Sequence, residues 1–336
     1  MENNILTYSS SPHVKNPRTT KNIMLDVCIA LLPACIMGII FFKGAWLVLL
    51  LSSVSAVASE FVYYLIMGKN IKQIAKAFDY SSLVTGLLLG MVLGSQSPWY
   101  VPVLGSIFAI VVVKCLFGGT GKNLVNPAIA GRIFVFMSFA SVITGGWALP
   151  RIGLIGGGEM LNPETGATFL TNMFDAQHGA LLNISNLNLN LFLGTGIAGC
   201  IGETCKLALL VGGLYLACRK VINLLFPTIY IVVTGLFSVC LGGFDFNLFL
   251  PSILSGGLFL GAIFMATDYV TSPNTLLGNI IYFVLLGLIT AGLRFATKIE
   301  VVSFVILLMN IVVPLIDKFI FNKPFGAVKC AKKKGA

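Results

Sequence analysis

Three short runs in this chain carry residue types that can do chemistry. The first is Thr165-Gly166-Ala167-Thr168, preceded by Glu164. A threonine hydroxyl among small neighbours can be reached by a modifying enzyme, and its oxygen can carry a phosphoester. Taken alone, such a run is an ordinary polar turn. The second is Gly118-Gly119-Thr120-Gly121-Lys122-Asn123-Leu124-Val125-Asn126-Pro127-Ala128, followed by Gly131 and Arg132. Its glycines admit positive φ and leave backbone N–H groups open to an anion or a flat polar ring. A helix starting at Pro127 would bring the Asn123 and Asn126 amides to one side, as donors and acceptors for the edge of a heterocycle. The spacing is not that of a Walker loop and no strand precedes it, so neither a P-loop nor a dinucleotide fold is implied. The third is Ala266-Thr267-Asp268-Tyr269-Val270-Thr271-Ser272-Pro273-Asn274-Thr275. Its hydroxyls and carboxylate suit a helix cap and turn, or an ion or polar ligand at a half-helix end.

The elements that position these runs are membrane spans. Of 336 residues, 57% are hydrophobic and 10% charged, with a mean hydropathy of +0.94; a soluble domain carries about 25% charge. Apolar runs of about 20 residues recur along almost the whole length, which defines an all-α polytopic membrane protein. The expected spans are 23–42, 45–67, 81–96, 99–117, 126–145, 189–218, 221–241, 247–266, 276–293 and 299–321. The 189–218 run is long for one span, and its Gly194, Gly196, Gly199 and Gly202 predict a tilted or broken helix. Residues 1–22 are polar and basic and the first apolar run reads as a true span, so no cleavable signal is expected.

The net charge of +10 does not point to nucleic acid, because the lysines and arginines fall in alternate loops. That is the positive-inside pattern. Basic loops at 68–79, 114–132 and 219–220, with the arm at 1–22 and the tail at 322–336, are expected in the cytoplasm. Both termini are then cytoplasmic, and 146–188, with Thr168, lies outside. Arg294 and Lys298 violate the pattern mildly and Glu300 offsets them. Five spans on each side of the external loop (23–145 and 189–321) suggest two inverted repeats. In that reading the 266–275 run is the second half's counterpart of the asparagine turn.

Several polar residues remain unexplained by span formation. Asp26, Glu60, Asp79 and Glu203 lie in or beside apolar runs, where ionisable groups usually face a cavity or a partner. Glu203 and Lys206 have the spacing of a local helical ion pair, and Asp79 suits a cap for the third span. Cysteines at 28, 35, 115, 200, 205, 218, 240 and 330 form no Cys-x-x-Cys pair and read as small buried hydrophobes. No metal site and no iron–sulfur cluster held by this chain alone is expected, and His13 and His178 are too few to change that.

Taken together, Ser11-Pro12-His13, Asp79 through Gly86, the 118–132 turn, Thr165-Gly166-Ala167-Thr168, Gly199 through Thr204, and Met265 through Pro273 resemble one family in kind and order. It is the RnfD family, which includes NqrB of the sodium-pumping NADH:quinone oxidoreductase. The short N-terminal arm is the more similar to RnfD. The resemblance implies ten transmembrane helices in inverted repeats, similar to urea channels, in a prokaryotic inner membrane. It implies FMN joined through its phosphate to Thr168 by an extracytoplasmic flavin transferase, with Thr165, Gly166 and Ala167 completing the motif. It implies a second, non-covalent flavin (riboflavin or FMN) in the membrane domain, for which Asn123 and Asn126 are the matching residues. Arg132, Thr267 and Asp268 belong to the two turns that would tune it.

The family's motif often has aspartate three residues before its Ser/Thr, where this chain has Asn162. By the same resemblance, the chain works in an Rnf complex beside flavin- and iron–sulfur-carrying subunits, passing electrons from ferredoxin to NAD while sodium or protons are exported. No complete activity is expected from it alone. The competing readings are the quinone-reductase component, a passive channel for a small polar solute, and a purely structural membrane protein.

Overall fold

The computed structural model describes residues 18–144, 150–151, 187–195 and 199–320. The Thr165–Thr168 run and Asn162 lie outside them, as do residues 1–17 of the basic arm and the tail from 321 onward. Every extended element among the described residues is helical. In chain order these are α1 (Thr20–Phe41), α2 (Ala45–Ile66), α3 (Ile71–Ala77) and α4 (Ser81–Met91). Helix α5 (Tyr100–Ile107) continues as a π-helix over Phe108–Cys115, and α6 (Pro127–Ser138) and α7 (Ala140–Thr144) follow. In the second half come α8 (Leu187–Leu193), α9 (Lys206–Cys218), α10 (Leu225–Leu241) and α11 (Phe249–Leu254). Helix α12 (Leu258–Leu260) runs on as a π-helix over Gly261–Met265, and α13 (Leu276–Thr297) and α14 (Val302–Phe319) complete the set.

The helix boundaries follow from local chemistry. Thr19 caps α1 by accepting from Asn22 N, and Thr275 caps α13 by accepting from Gly278 N. Asn126 caps α6, whose first residue is Pro127, the position where a missing N–H costs nothing. Lys298 ends α13 in the left-handed region at φ +56°.

The ten expected spans are not ten equal helices. Helices α1, α2, α13 and α14 are long and apolar enough to cross a membrane unaided, and the Phe246–Leu254 and Leu258–Met265 pair, bent by 66°, makes a fifth. The others are shorter apolar helices. Helix α4 has 11 residues, about 16 Å at 1.5 Å per residue, half the hydrocarbon thickness. Beyond Met91 the chain is irregular through Gly94, Ser95, Ser97 and Pro98. The 189–218 run is broken as expected, with α8 ending at Leu193 and α9 starting at Lys206.

These two breaks meet. Gly202 N donates to Met91 O at 2.7 Å and Ile201 N to Leu93 O at 3.2 Å, and the Cys200 thiol donates to Val92 O at 3.0 Å. Backbone groups freed by ending a helix at this depth must find protein partners, because lipid offers none. Here each break supplies them to the other.

Packing is reciprocal between the halves. Helix α1 packs on α9, and α6 on α14. The contact of α2 with α5 is matched by that of α10 with α13, and the contact of α2 with α4 by that of α10 with α11. That matching pairs α5 with α13 and α6 with α14, so the 116–126 turn corresponds to the turn at 298–301. The expected pairing with 266–275 is thereby corrected. Counterparts in an inverted repeat lie at opposite ends of the bundle, whereas the asparagine turn and the 266–275 turn touch.

Close approach of α4 to α2 depends on Gly86. A Cβ there would stand 2.7 Å from Ser52 O and Ser53 Cα and 3.0 Å from Ala56 Cβ, and two of these three are backbone atoms that cannot swing away. Gly86→Ala is expected to destabilise the protein by about 1–3 kcal/mol, the usual cost of overpacking. A lowered unfolding midpoint in detergent checks this; an unchanged midpoint would mean that α2 and α4 can separate freely.

Candidate functional site: a polar cavity at one end of the bundle

One cavity, of about 100 Å³, gathers polar residues of both turns and of the start of α4 singled out in the sequence. Its apolar wall comes from α1 (Ile23, Met24, Val27), α4 (Val84, Leu88) and the end of α9 with its turn (Leu216, Val221, Ile222). The polar wall comes from Ser81 and Thr85 of α4, Lys114 of the first π-helix, Thr120, Asn123 and Asn126 of the asparagine turn, and Thr267 to Val270.

The asparagine turn has the shape its glycines predict. Gly118, Gly119 and Gly121 sit at φ +106°, +92° and +89°, where a side chain would be strained. The two asparagines share the cavity but differ in what they can give it. Asn126 is committed: its Oδ1 accepts from Ala128 N at 3.0 Å and its Nδ2 donates to Met265 O at 3.4 Å. It joins the first half's turn to the last residue of the second π-helix. Asn123 donates one amide hydrogen to Val125 O at 3.1 Å, and its carbonyl oxygen accepts no hydrogen bond among the described residues.

The 266–275 turn closes the same wall. Thr267 turns its hydroxyl back onto Ile263 O and so contributes mainly shape. Asp268 accepts from Val270 N at 3.2 Å. Burial pushes its carboxyl up to about 6, against the opposing pull of the Val270 N–H and the Thr271 hydroxyl. Arg132 is placed elsewhere. It leaves α6 toward α14, where it donates to Ser303 Oγ, and it does not line the cavity.

The least legible part of the site is a buried charge cluster at its edge. Lys114 Nζ donates to Glu60 Oε1 at 2.7 Å and to Ser81 Oγ at 2.6 Å, and lies 4.0 Å from Asp79 Oδ1. Lys114 is 2% exposed. Ser81 also donates to Asp79 at 2.6 Å and stands 3.0 Å from the Thr120 hydroxyl. Burial alone would raise the Asp79 carboxyl, but the hydroxyls of Ser81 and Thr120 and the Lys114 charge hold it below the usual carboxylate range. Asp79 is not the cap of α4: Tyr80 holds that position without a side-chain cap bond, and Asp79 accepts from Ser81 N at 3.1 Å one residue earlier, in a turn that also serves the cluster. Sequence reasoning flagged Glu60 and assigned Lys114 to a basic loop. The signal available was position: Lys114 follows Val111, Val112 and Val113 inside the apolar run.

The expected Glu203–Lys206 pair does not form. The chain is not helical at 199–204, so spacing of three does not bring side chains together there. Glu203 Oε1 instead accepts from Cys200 N at 2.7 Å, and Lys206 donates to Thr204 O at 3.5 Å.

Among the described residues, long spans and paired broken helices that enclose a polar cavity beside a buried ion pair define a multi-pass membrane protein. The chain matches the model of the NQR2, RnfD, RnfE family over residues 7–326, and it belongs to that family. Among curated proteins it is 39% identical to the D subunit of the Na(+)-translocating ferredoxin:NAD(+) oxidoreductase complex of Acetobacterium woodii, over 98% of each chain. It is 36% identical to the D subunit of the Proton-translocating ferredoxin:NAD(+) oxidoreductase complex of Clostridium ljungdahlii, over 97% of this chain and 98% of the relative. It is 34% identical to the D subunit of the Ion-translocating oxidoreductase complex of Stutzerimonas stutzeri, over 90% and 91%.

Asp268 supplies a test of the cavity's burial. Its carboxyl is raised in the folded state, so its protonated form is the one the fold favours. Its contribution to stability is present at low pH and is lost as pH rises through about 6. Between pH 5 and 7.5 the unfolding midpoint of wild type should therefore fall relative to that of Asp268→Asn. Parallel curves would show that water reaches the carboxyl freely.

Proposed function

We propose that this chain is the membrane component of an ion-translocating ferredoxin:NAD oxidoreductase of the Rnf type, and that it relays electrons through two flavins while sodium or protons are exported. The observation that carries the reading is a cavity with one apolar wall and one polar edge, joined to near-full-length similarity to proteins of that name. The chain consists of two inverted halves, 23–145 and 189–321, with both termini in the cytoplasm. The 146–188 segment between the halves faces outward, where a flavin transferase attaches FMN to Thr168. The partners are the flavin- and iron–sulfur-carrying subunits of the complex and the surrounding lipid. Alternation of basic loops supports the sidedness, and the reciprocal helix packing supports the halves.

The residues present fit a flavin. An isoalloxazine ring is flat and largely apolar with one edge of donors and acceptors. The cavity opposes the aliphatic side chains of α1, α4 and α9 to the open oxygen of Asn123, the hydroxyl of Thr120 and the ammonium of Lys114. When bound, such a ring accepts and passes on electrons one or two at a time. Asn123 would orient its polar edge, and Asn126 would hold the turn against Met265 and so set the cavity's width. The apolar wall would keep bulk water from the ring. The Thr168 phosphoester would fix the other ring's place without touching its redox atoms. Relatives named for sodium and for protons are 39% and 36% identical to the chain, and the proposal covers both ions.

Two substitutions test the two sites. Thr168→Val is expected to abolish flavin fluorescence on a denaturing gel, in protein co-expressed with a competent flavin transferase, without affecting membrane insertion. Persistence of the fluorescent band in that variant would move the attachment site elsewhere, and a dark wild-type band would favour a solute channel. Asn126→Leu removes both the α6 cap and the Met265 contact, and should lower the non-covalent flavin recovered per purified protein several-fold. Unchanged recovery would return the asparagine turn to a purely architectural role.

A further inference from the structure

The cavity is smaller than the ligand its walls suit. At about 100 Å³ it falls short of the roughly 300–1,000 Å³ of sites that enclose a drug-sized molecule. A flat three-ring heterocycle with one polar edge therefore needs a wall that gives when it enters. The polar wall is pinned from several elements at once. Lys114 joins α2 to α4 through Glu60 and Ser81, and Asn126 joins the asparagine turn to Met265. Helix α4 is also held against α2 at Gly86, where a Cβ would meet backbone atoms.

The apolar wall is held differently. Its residues outside α4 come from the start of α1 (Ile23, Met24, Val27) and from the end of α9 and its turn (Leu216, Val221, Ile222). The two helices approach closely at Gly212, where a Cβ would overlap the Ala30 carbonyl. All six of these wall residues lie on one side of that crossing, toward the start of α1 and the end of α9. On the same side, one turn from Ala30, Asp26 is 8% exposed and takes its contacts from α9 and its C-cap. The Tyr215 hydroxyl donates to Asp26 Oδ1 at 3.2 Å, Arg219 Nε donates to Oδ2 at 3.2 Å, and Arg219 Nη2 lies 3.2 Å from Oδ1. Among the described residues, no other hydrogen bond joins α1 to this end of α9. Just before α1, Arg18 donates to the Arg219 carbonyl and ties down the same corner.

We propose that the α1–α9 wall is the entrance of the cavity, that it opens about the Gly212–Ala30 crossing, and that Asp26 is the positioning residue that latches it over a bound planar heterocycle. The latch is built to be released. Its contacts are longer than the about 2.7–2.9 Å of tight charge-assisted bonds. Arg219 keeps 52% of its side chain exposed, so its charge regains water as soon as the contact breaks, and a half-solvated ion pair holds weakly. Asp26 is the group left behind in the apolar wall. An opened wall therefore carries a poorly solvated, unpaired carboxylate, which drives it to close again. Arg294 and Glu300, with side chains 1% and 6% exposed, have no such exit to water. That the ligand is a flavin rests on the redox reading, but the opening of the wall does not.

The test uses the purified full-length chain and two readouts. Leu88→Cys puts a thiol on the fixed side of the cavity, and its alkylation by a small maleimide is mapped by mass. Adding Arg219→Gln should raise labelling at position 88 at least fivefold, while native Cys205, buried at the opposite end of α9, labels as before. Equal labelling at 88 overturns the latch, and so does an equal rise at both cysteines, which is general loosening. Should Arg219→Gln not fold, Tyr215→Phe removes a single hydroxyl and is held to the same criteria at twofold. The second readout locks the wall. Asp26→Cys and Arg219→Cys, with Cys28→Ser and Cys218→Ser, are joined by a short reducible thiol cross-linker. The lock should slow the chase of bound flavin by excess riboflavin at least tenfold, and reduction should restore the rate. Equal exchange in the locked and reduced protein overturns the proposal. A wild type without bound flavin whose position 88 still responds to Arg219→Gln would count against the redox reading alone.

Discussion

The structure depends on how two interrupted helices satisfy each other's backbone. Ending α4 at Met91 leaves carbonyls without helical partners deep in the bundle, and opening the chain between Leu193 and Lys206 leaves N–H groups in the same condition. The bonds from Gly202 N to Met91 O and from Ile201 N to Leu93 O satisfy both sets at once. An unsatisfied backbone group in hydrocarbon costs several kcal/mol, so neither interruption is tolerable without the other. Glycine at 202 is part of the condition, because a Cβ there would press on Met91 at 2.6 Å.

The shortness of α4 has a consequence at its other end. A half-length helix places its start, with Ser81 and the preceding Asp79, beside the C-terminal end of the first π-helix, with Lys114. A cation near a helix C-terminus is favoured by the orphan carbonyls there, which helps to hold Lys114 inward. The π-helical turns themselves carry one residue more than an α-turn, and both stand next to the cavity. Phe108–Cys115 runs into the asparagine turn and Gly261–Met265 into the 266–275 turn. The same backbone irregularity therefore delivers a polar loop to the cavity from each half.

Much of this was legible in the sequence, for reasons that can be named. Span existence followed from hydropathy, because a bilayer imposes one length scale on every element. The break after Leu193 was visible because four glycines fall within nine residues, from Gly194 to Gly202. The asparagine turn was visible because Gly-Gly-x-Gly followed by Asn-Pro fixes both its conformation and the start of the next helix. Helix lengths were not legible, since Val92 and Leu93 are as apolar as the helical residues before them and only tertiary pairing with Ile201 and Gly202 takes them out of the helix. Arg132 was misassigned for a related reason. Its proximity in sequence to Asn126 said nothing about the direction of its side chain, which a helical phase of six residues carries round to Ser303 on α14. The kinship of the 266–275 turn to the asparagine turn was also misjudged. Similar composition at similar hydropathic positions does not distinguish a symmetry mate from a neighbour, and the bond from Asn126 to Met265 does.

Symmetry then explains why the two halves of such a fold need not behave alike. Each half carries a cation near the end of a span, Lys114 in the first and Arg294 in the second, but the acceptors around it come from different elements. Glu300 reaches Arg294 from only six residues away, across a tight turn, and Gly256, at φ +64° and without a Cβ, leaves room for its carboxylate. Local closure of that kind resists opening, because the cation, the acid and the turn move as one piece. Glu60 reaches Lys114 from another helix, 54 residues away in the chain, and Ser81 reaches it from a third. A pair assembled from three elements can be loosened by any relative shift among them, and removing one partner of a buried pair costs about 3–5 kcal/mol when nothing takes its place. The first half therefore holds a pair assembled from three elements beside the cavity, while the second half's acid reaches its cation from within one turn.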